Sequence, residues 1–446
     1  MTQETPSWGI EPVPERLRVL GLADTTLLWG SLGVSLLVLV AGALLVPALS
    51  LRDALVAIAA GGVIGSAMLG LAGMIGAQAR VPAMVLMRAP LGRDGSYLPT
   101  ALNVLQNLGW ATFELIVIAT AAAALSDRVL GFQARWAWTL LFGALAAALA
   151  LVGPVGVVRR FLRRFAVWIV LASLAYLTWW AVKDAPLGRL WSQPGEGDLS
   201  VWEGADLIVA LVVSWVPLAP DYTRFSRDER TALAGTALGY LVGSVWLFGL
   251  GALLVLAHDL SDPAQIPAAV AAAGAASAVA LLAVTVDETD EAFANVYSAA
   301  VSAQNVLPRV PQRLLVGLAA ATATGAALAI DLVRYEDFLV LLGSFFVPLF
   351  GVLLGDWLVS GRYTERDVFG APSVRPGPLV AWLAGFAFYQ WLYPIGPSWW
   401  VQLMDNTHPP GLGIGATLPS FALAFALAGA ITFAKKKLYE VVTSAR

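Results

Sequence analysis

Polar and apolar positions in this chain are laid out in blocks. Apolar runs of about twenty residues or more recur from Thr25 to the C-terminus, separated by short polar segments rich in arginine, proline and glycine. A helix of roughly 20 apolar residues crosses bilayer hydrocarbon, and only a helix or a closed barrel satisfies its backbone there. The pattern therefore predicts an all-α membrane protein with twelve transmembrane helices, at 25–49, 53–78, 100–124, 135–153, 157–182, 204–220, 232–257, 275–304, 312–333, 336–360, 377–395 and 412–434. The longest gaps between them are about twenty residues, too short for a separate soluble domain. The expected organisation is a cytoplasmic segment 1–24, a first five-span unit 25–182, a second 204–360, two further spans 377–434 and a cytoplasmic tail 435–446.

Three spans break the apolar pattern. In the first, Trp29-Gly30-Ser31-Leu32-Gly33-Val34-Ser35 places two glycines and two serines inside a Leu/Val-rich run. In the sixth, Ser214-Trp215-Val216-Pro217-Leu218-Ala219-Pro220 carries two prolines, which remove backbone donors and break or kink a helix. Freed backbone groups at membrane depth survive only where protein buries them or water reaches them. Interruptions at matching positions of two five-span halves point to an inverted-repeat secondary transporter with its site at the breaks; the alternative is that Gly, Ser and Pro simply pack membrane helices closely. The third irregular span holds Asp287-Glu288-Thr289-Asp290-Glu291, four carboxylates within five residues. Between Pro263 and Pro308 lie 44 residues, about twice one crossing. A short outer helix over Ala264–Gly274 puts the acids near mid-bilayer. A span over Ala268–Val286 puts them at the cytoplasmic face, with Glu288 and Glu291 open to a vestibule. The first is favoured, because Phe293–Val306 is too apolar for a solvated tail.

Composition sharpens this picture. Hydrophobic residues make up 59% and charged residues 13%, against about 25% charged in soluble domains. The chain has no cysteine, which excludes disulfides, thiolate metal sites and thiol catalysis. The first apolar run follows a polar, proline-containing lead, so no cleavable signal peptide is expected. With the N-terminus in the cytoplasm, 21 of the 27 Lys and Arg residues fall in inside segments and 6 in outside ones. The inside groups include Arg159, Arg160, Arg163 and Arg164, then Lys435, Lys436, Lys437 and Arg446; the outside set is Arg52, Arg128, Arg135, Lys183, Arg189 and Arg334. By the positive-inside rule both termini are cytoplasmic. Trp8, Trp179, Trp180, Trp391, Trp399 and Trp400 are expected in the interfacial belt, and His258 and His408 in outer loops.

Four ionised acids cannot face lipid; they must be hydrated, bound to a cation or partly protonated. Helical spacing directs Asp287, Asp290 and Glu291 to one side, with Glu288 and Asn295 beside it. Oxygens of Thr289 and Asp290, with carbonyls from a broken helix opposite, suit a hard monovalent cation. On the third span, Glu114 is a lone acid one turn from Trp110 on the same face. An indole beside a carboxylate suits a flat heterocycle, the ring by stacking and the acid by accepting paired N–H bonds; the alternative for Glu114 is structural hydrogen bonding to another helix. Trp215 is the natural second wall. No metalloprotease motif, nucleotide-binding glycine loop or catalytic triad is visible, so an embedded enzyme is poorly supported.

These segments carry a family resemblance. Ser214–Phe225 resembles the sixth-span signature of the nucleobase–cation symporters, the purine–cytosine permeases. So do Pro90-Leu91-Gly92-Arg93-Asp94-Gly95-Ser96, Asn295-Val296-Tyr297-Ser298, and Gly343–Val352 with Asp356. The resemblance implies a LeuT-type 5+5 inverted repeat with two extra C-terminal helices, and uptake of a nucleobase or related heterocycle driven by Na⁺ or H⁺. It places substrate contacts at Trp110, Glu114, Ser214, Trp215, Asn295 and Ser35. It places a cation site at first-span carbonyls near Leu32–Ser35, at Val286 and at the Thr289–Asp290 pair, with no cofactor beyond a bound Na⁺. The acid at 114 favours an aminopyrimidine such as cytosine or hydroxymethylpyrimidine over uracil or hydantoin; the alternative is a thiamine-precursor or hydantoin/allantoin transporter of the same family. The Thr-Asp pair within an acidic cluster makes proton coupling credible. An ion-independent facilitator and a non-transporting receptor are the other classes; the acid cluster argues against the former, the missing output domain against the latter. Expected partners are the small heterocycle, the coupling cation and the bilayer, with no nucleic acid, and a monomer.

Overall fold

In a computed structural model, residues 9–158, 162, 167–183, 185–260, 265–330, 335–405, 407 and 413–444 are described. Trp8, Arg159, Arg160, Arg163, Arg164, Arg334, His408 and Arg446, each given a place by the sequence, lie outside those residues. The described chain is helical, and its one β-bridge pairs Leu20 with Ser226.

Seven helices among the described residues are long and apolar enough to cross a membrane, and a bent pair makes an eighth. The seven are the predicted second, third, fourth, seventh, ninth, tenth and twelfth spans. The bent pair is the first span, Leu22–Ser31 and Leu36–Ala43, which meet at 61°. The fifth (Val167–Lys183) and eleventh (Pro376–Leu392) are shorter apolar helices. The sixth divides into Val201–Val213 and Ala219–Thr223. The eighth runs as Ala275–Asp287 and Thr289–Ala303, preceded by the short helix Ile266–Ala272.

Several boundaries move. The third span extends over Tyr97–Leu130 and the seventh over Glu229–His258, because both helices continue past the apolar stretch into polar turns that cap them. His258 therefore ends a helix, and its ring stacks on Trp180 at 4.2 Å. That contact buries Trp180, unlike the exposed belt residues Trp179 and Trp399. The twelfth span continues as helix through Lys435–Lys437 to Ser444. A short helix, Ser398–Asp405, stands where an irregular outer loop was expected.

Helix packing sorts the spans into groups. Spans one, two, six and seven pack together; three, four, eight and nine form a second group; ten, eleven and twelve a third. The first and seventh spans meet backbone to backbone. A methyl group on Gly42 would strike the Phe248 carbonyl, and one on Gly251 the Leu39 carbonyl. The third group is fastened by two buried acids. Asp356 accepts from Arg375 (2.8 Å), Tyr363 (2.8 Å) and Thr432 (2.6 Å). Asp206 caps the start of the twelfth span by accepting the backbone N–H groups of Ala416, Thr417 and Leu418 at 3.0, 2.9 and 3.1 Å. Large apolar side chains such as Trp136, Trp168, Leu141 and Val242 are exposed on the outer helix faces, as lipid contact requires.

Candidate functional site

The breaks in the first and sixth spans face the third and eighth spans across the middle of the molecule. In the first span, Leu32–Ser35 leave the helix, and the chain re-enters it with Ser35 as N-cap, its hydroxyl accepting from Leu37 N at 3.1 Å. In the sixth, residues 214–218 form turns between the two half-helices. Two carbonyls freed there are taken by amides of the third span: Gln106 Nε2 donates to Ser214 O at 2.8 Å, and Asn103 Nδ2 to Pro217 O at 3.5 Å. That is how irregular backbone is tolerated at this depth. Neither amide was assigned a role from sequence. Their signal was present, since Asn103, Gln106 and Trp110 follow helical spacing on one face.

Between the breaks lies a cavity of ≈ 30 Å³ lined by Ser35, Gln106, Trp110, Ser214, Trp215, Tyr240, Glu291 and Asn295, with Leu and Val side chains and Phe248. That volume holds about two waters, so a heterocycle requires the walls to separate further. Five of the six expected substrate residues line it, namely Trp110, Trp215, Ser35, Ser214 and Asn295. An aromatic group backs it: the Trp29 and Trp215 rings meet edge to face at 6.2 Å, and Tyr222 and Tyr240 pack on Trp29.

Glu114 departs from expectation. It does not line the cavity; it is buried (1% exposed) and faces the acids of the eighth span. The acid that lines the cavity is Glu291, whose backbone carbonyl accepts from Asn295 Nδ2 at 3.1 Å. All four eighth-span acids are buried, at 4% exposure or less, so neither Glu288 nor Glu291 opens to a cytoplasmic vestibule.

The acids also divide differently from the expected single face. Positions three apart share a stripe on a helix, and two neighbours claim two stripes. Glu288 and Glu291 face Glu114, with one carboxylate oxygen of each residue within 4.8 Å of the others. Asp287 accepts from Ser31 at 3.3 Å, and Asp290 approaches the same serine, although neither Asp290 oxygen has a hydrogen-bond partner of good geometry.

The expected cation set is therefore only partly assembled. Ser35 donates to Glu288 Oε1 at 2.6 Å, and Leu36 N donates to Oε2 at 3.0 Å. Glu288 thus meets the first-span break at Ser35 and Leu36, while Asp287 and Asp290 lie against Ser31 just before it. The Thr289 hydroxyl has no hydrogen-bond partner, Leu32 is buried, and the Val286 side chain is 39% exposed on the outer face. Among the described residues no Lys, Arg or His side chain forms an ion pair with any of the five acids. Two unit charges 4.8 Å apart repel by roughly 3.5 kcal/mol at an effective dielectric of 20. Such a group needs a cation or bound protons to persist.

Comparison with known proteins supplies the remaining context. A family described as permease for cytosine/purines, uracil, thiamine, allantoin matches residues 12–369. Among curated proteins, an allantoin permease of Bacillus subtilis (strain 168) is 27% identical over 209 residues, 42% of this chain and 42% of that one. A hydantoin permease of Microbacterium maritypicum is 25% identical over 247 residues, 52% of this chain and 50% of that one. The chain thus spans half or less of the length of these relatives. Among solved structures, Mhp1, a nucleobase-cation-symport-1 family transporter in a closed conformation with bromovinylhydantoin bound, superposes with a TM-score of 0.76 at 19% identity, over 96% of each chain. Its inward-facing conformation gives 0.73 at 18% identity, over 97% of this chain and 94% of that one. These likenesses show the fold, an all-helical membrane transporter architecture of the Mhp1 and LeuT type. With the family match reaching across most of its length, this protein belongs to the family described as permease for cytosine/purines, uracil, thiamine, allantoin, and has its multi-pass membrane fold.

Proposed function

We propose that this protein imports a small planar heterocycle together with a cation by alternating access, and that the ring is a five-membered cyclic ureide of the hydantoin or allantoin type. The observation that carries the reading is the cavity between the two broken spans, walled by Trp110 and Trp215 and edged by Gln106, Glu291 and Asn295. Indole faces suit a flat ring, contributing about 1 to 3 kcal/mol by stacking. Amide and carboxylate groups at the rim match a ring edge that alternates N–H and C=O. The relatives are named as allantoin and hydantoin permeases, and the Mhp1 structure holds a hydantoin. Those names favour the ureide over the cytosine-type ring expected from Glu114, which lies away from the cavity. The chain works as a monomer with both termini in the cytoplasm of the cell whose membrane it spans.

The test is counterflow in proteoliposomes with labelled hydantoin, allantoin, cytosine and uracil, with and without imposed cation and pH gradients. Saturable exchange of a ureide, driven by an inward cation gradient, is the expected result. Faster exchange of cytosine restores the aminopyrimidine reading. Uptake indifferent to every gradient makes the protein a facilitator.

A further inference from the structure

We propose that Glu114, Glu288 and Glu291 form a binding site for one hard, oxygen-seeking cation, separate from the Leu32, Ser35, Val286, Thr289 and Asp290 set suggested by sequence. One carboxylate oxygen from each of the three lies within 4.8 Å of the others. Three oxygens at that full spacing leave a central ion about 2.8 Å from each, so a small inward shift of the side chains brings them to the roughly 2.3 to 2.6 Å range of Ca²⁺–oxygen bonds. Na⁺ has nearly the same radius and the same preference for oxygen, so the two share this chemistry. Mg²⁺ is disfavoured, because it demands bonds of about 2.0 to 2.1 Å in near-octahedral geometry.

The acidic stretch of the eighth span would not by itself identify a site. The second observation comes from another helix. Glu114 is the one acid among the apolar residues of the third span's central turns, and it is 1% exposed. Neither of its carboxylate oxygens has a hydrogen-bond partner, and the side chain is aimed at Glu288 and Glu291. One oxygen of Glu291 is likewise unpartnered. A buried carboxylate without donor or counter-charge is costly to keep ionised, and a cation held among the three oxygens offsets that cost.

The position of the site suggests its role. Glu288 holds the N-terminal end of the second half of the first span through Ser35 and Leu36. Glu291 lines the cavity, and Glu114 anchors the site to the third span. An ion drawing the three together fixes the hinge of a broken helix relative to the cavity wall. This makes it the coupling ion, a role that rests on the transport reading above, whereas ion binding itself does not.

The test uses the full chain purified in detergent without substrate. Calorimetric titration and thermal unfolding are followed with NaCl and CaCl₂ at fixed pH, with choline chloride matching ionic strength. One saturable, stabilising binding event is expected for at least one of the two metal ions, and the two titrations distinguish them. Glu114→Gln and Glu288→Gln are each expected to weaken it by about tenfold or more, while Thr289→Ala and Asp290→Asn leave it nearly unchanged. If Glu114→Gln does not fold, Glu291→Gln carries the same expectation. The proposal is overturned if neither metal ion binds and only pH shifts unfolding, which would make the three acids proton carriers. It is equally overturned if Asp290→Asn abolishes binding while Glu114→Gln retains it. Failed ureide counterflow with ion binding intact defeats the substrate reading and leaves this site standing.

Discussion

Trp110 and Trp215 reach the same cavity from helices 105 positions apart, and their value there is a flat apolar face rather than a hydrogen bond. Trp110→Ala is therefore expected to weaken a planar ligand by about 1 to 3 kcal/mol, with Trp110→Phe retaining much of the affinity. Equilibrium binding of labelled hydantoin by the purified variants measures this. Equal affinity in Trp110→Ala and the parent protein would remove the third-span indole from the pocket. Residues such as these were legible one at a time. Trp110 and Trp215 stand out because they lie beside Glu114 and the sixth-span break, and Asn295 through the family resemblance; the structure brings all three to one cavity. The direction of Glu114 was not legible. Its helical position fixes its angle about the third span, but which neighbour occupies that direction depends on how the eighth span is rotated.

At the scale of the element, the glycines of the first and seventh spans do more than permit the break. They let two helices touch through backbone, with Leu39 and Phe248 carbonyls where side chains would otherwise stand. Gly251→Ala is expected to destabilise the fold by about 1 to 3 kcal/mol through overpacking, seen as a lower unfolding temperature in detergent. An unchanged unfolding temperature would show that the helices slide apart freely. The broken spans themselves were readable, because glycine pairs and prolines act locally on the backbone. The partners of the freed carbonyls were not. Gln106 and Asn103 satisfy Ser214 and Pro217 across more than a hundred residues of sequence. Span ends were the weakest part of the reading, since a helix stops where its caps are satisfied and not where its apolar run ends. The Lys435–Lys437 turn of the last helix shows this.

The whole molecule offers two further tests. With no cysteine in the chain, Lys436→Cys and Arg189→Cys each introduce a single thiol. In intact cells a membrane-impermeant maleimide is expected to label the second and to reach the first only after permeabilisation. The reverse pattern would invert the topology that the arginine and lysine distribution implies. The third helix group is expected to depend on Asp356, which is fully buried and holds Arg375, Tyr363 and Thr432. Asp356→Ala leaves a largely buried guanidinium unpaired and is expected to cost about 3 kcal/mol or more. Thermal unfolding of the purified variant measures the loss; a parent-like transition would mean that the eleventh and twelfth spans hold without it.

The sequence alone determined that the chain crosses the bilayer, roughly where, and which helices break. Hydrophobic length and backbone chemistry are local properties, and lipid leaves a helix no other way to satisfy its polar groups. Only the tertiary structure decided which acids meet: Glu114 with Glu288 and Glu291, and Ser35 with Glu288 rather than with Thr289 or Asp290. Those pairings turn on the relative rotation of helices far apart in sequence, which packing of whole faces sets and no single residue encodes.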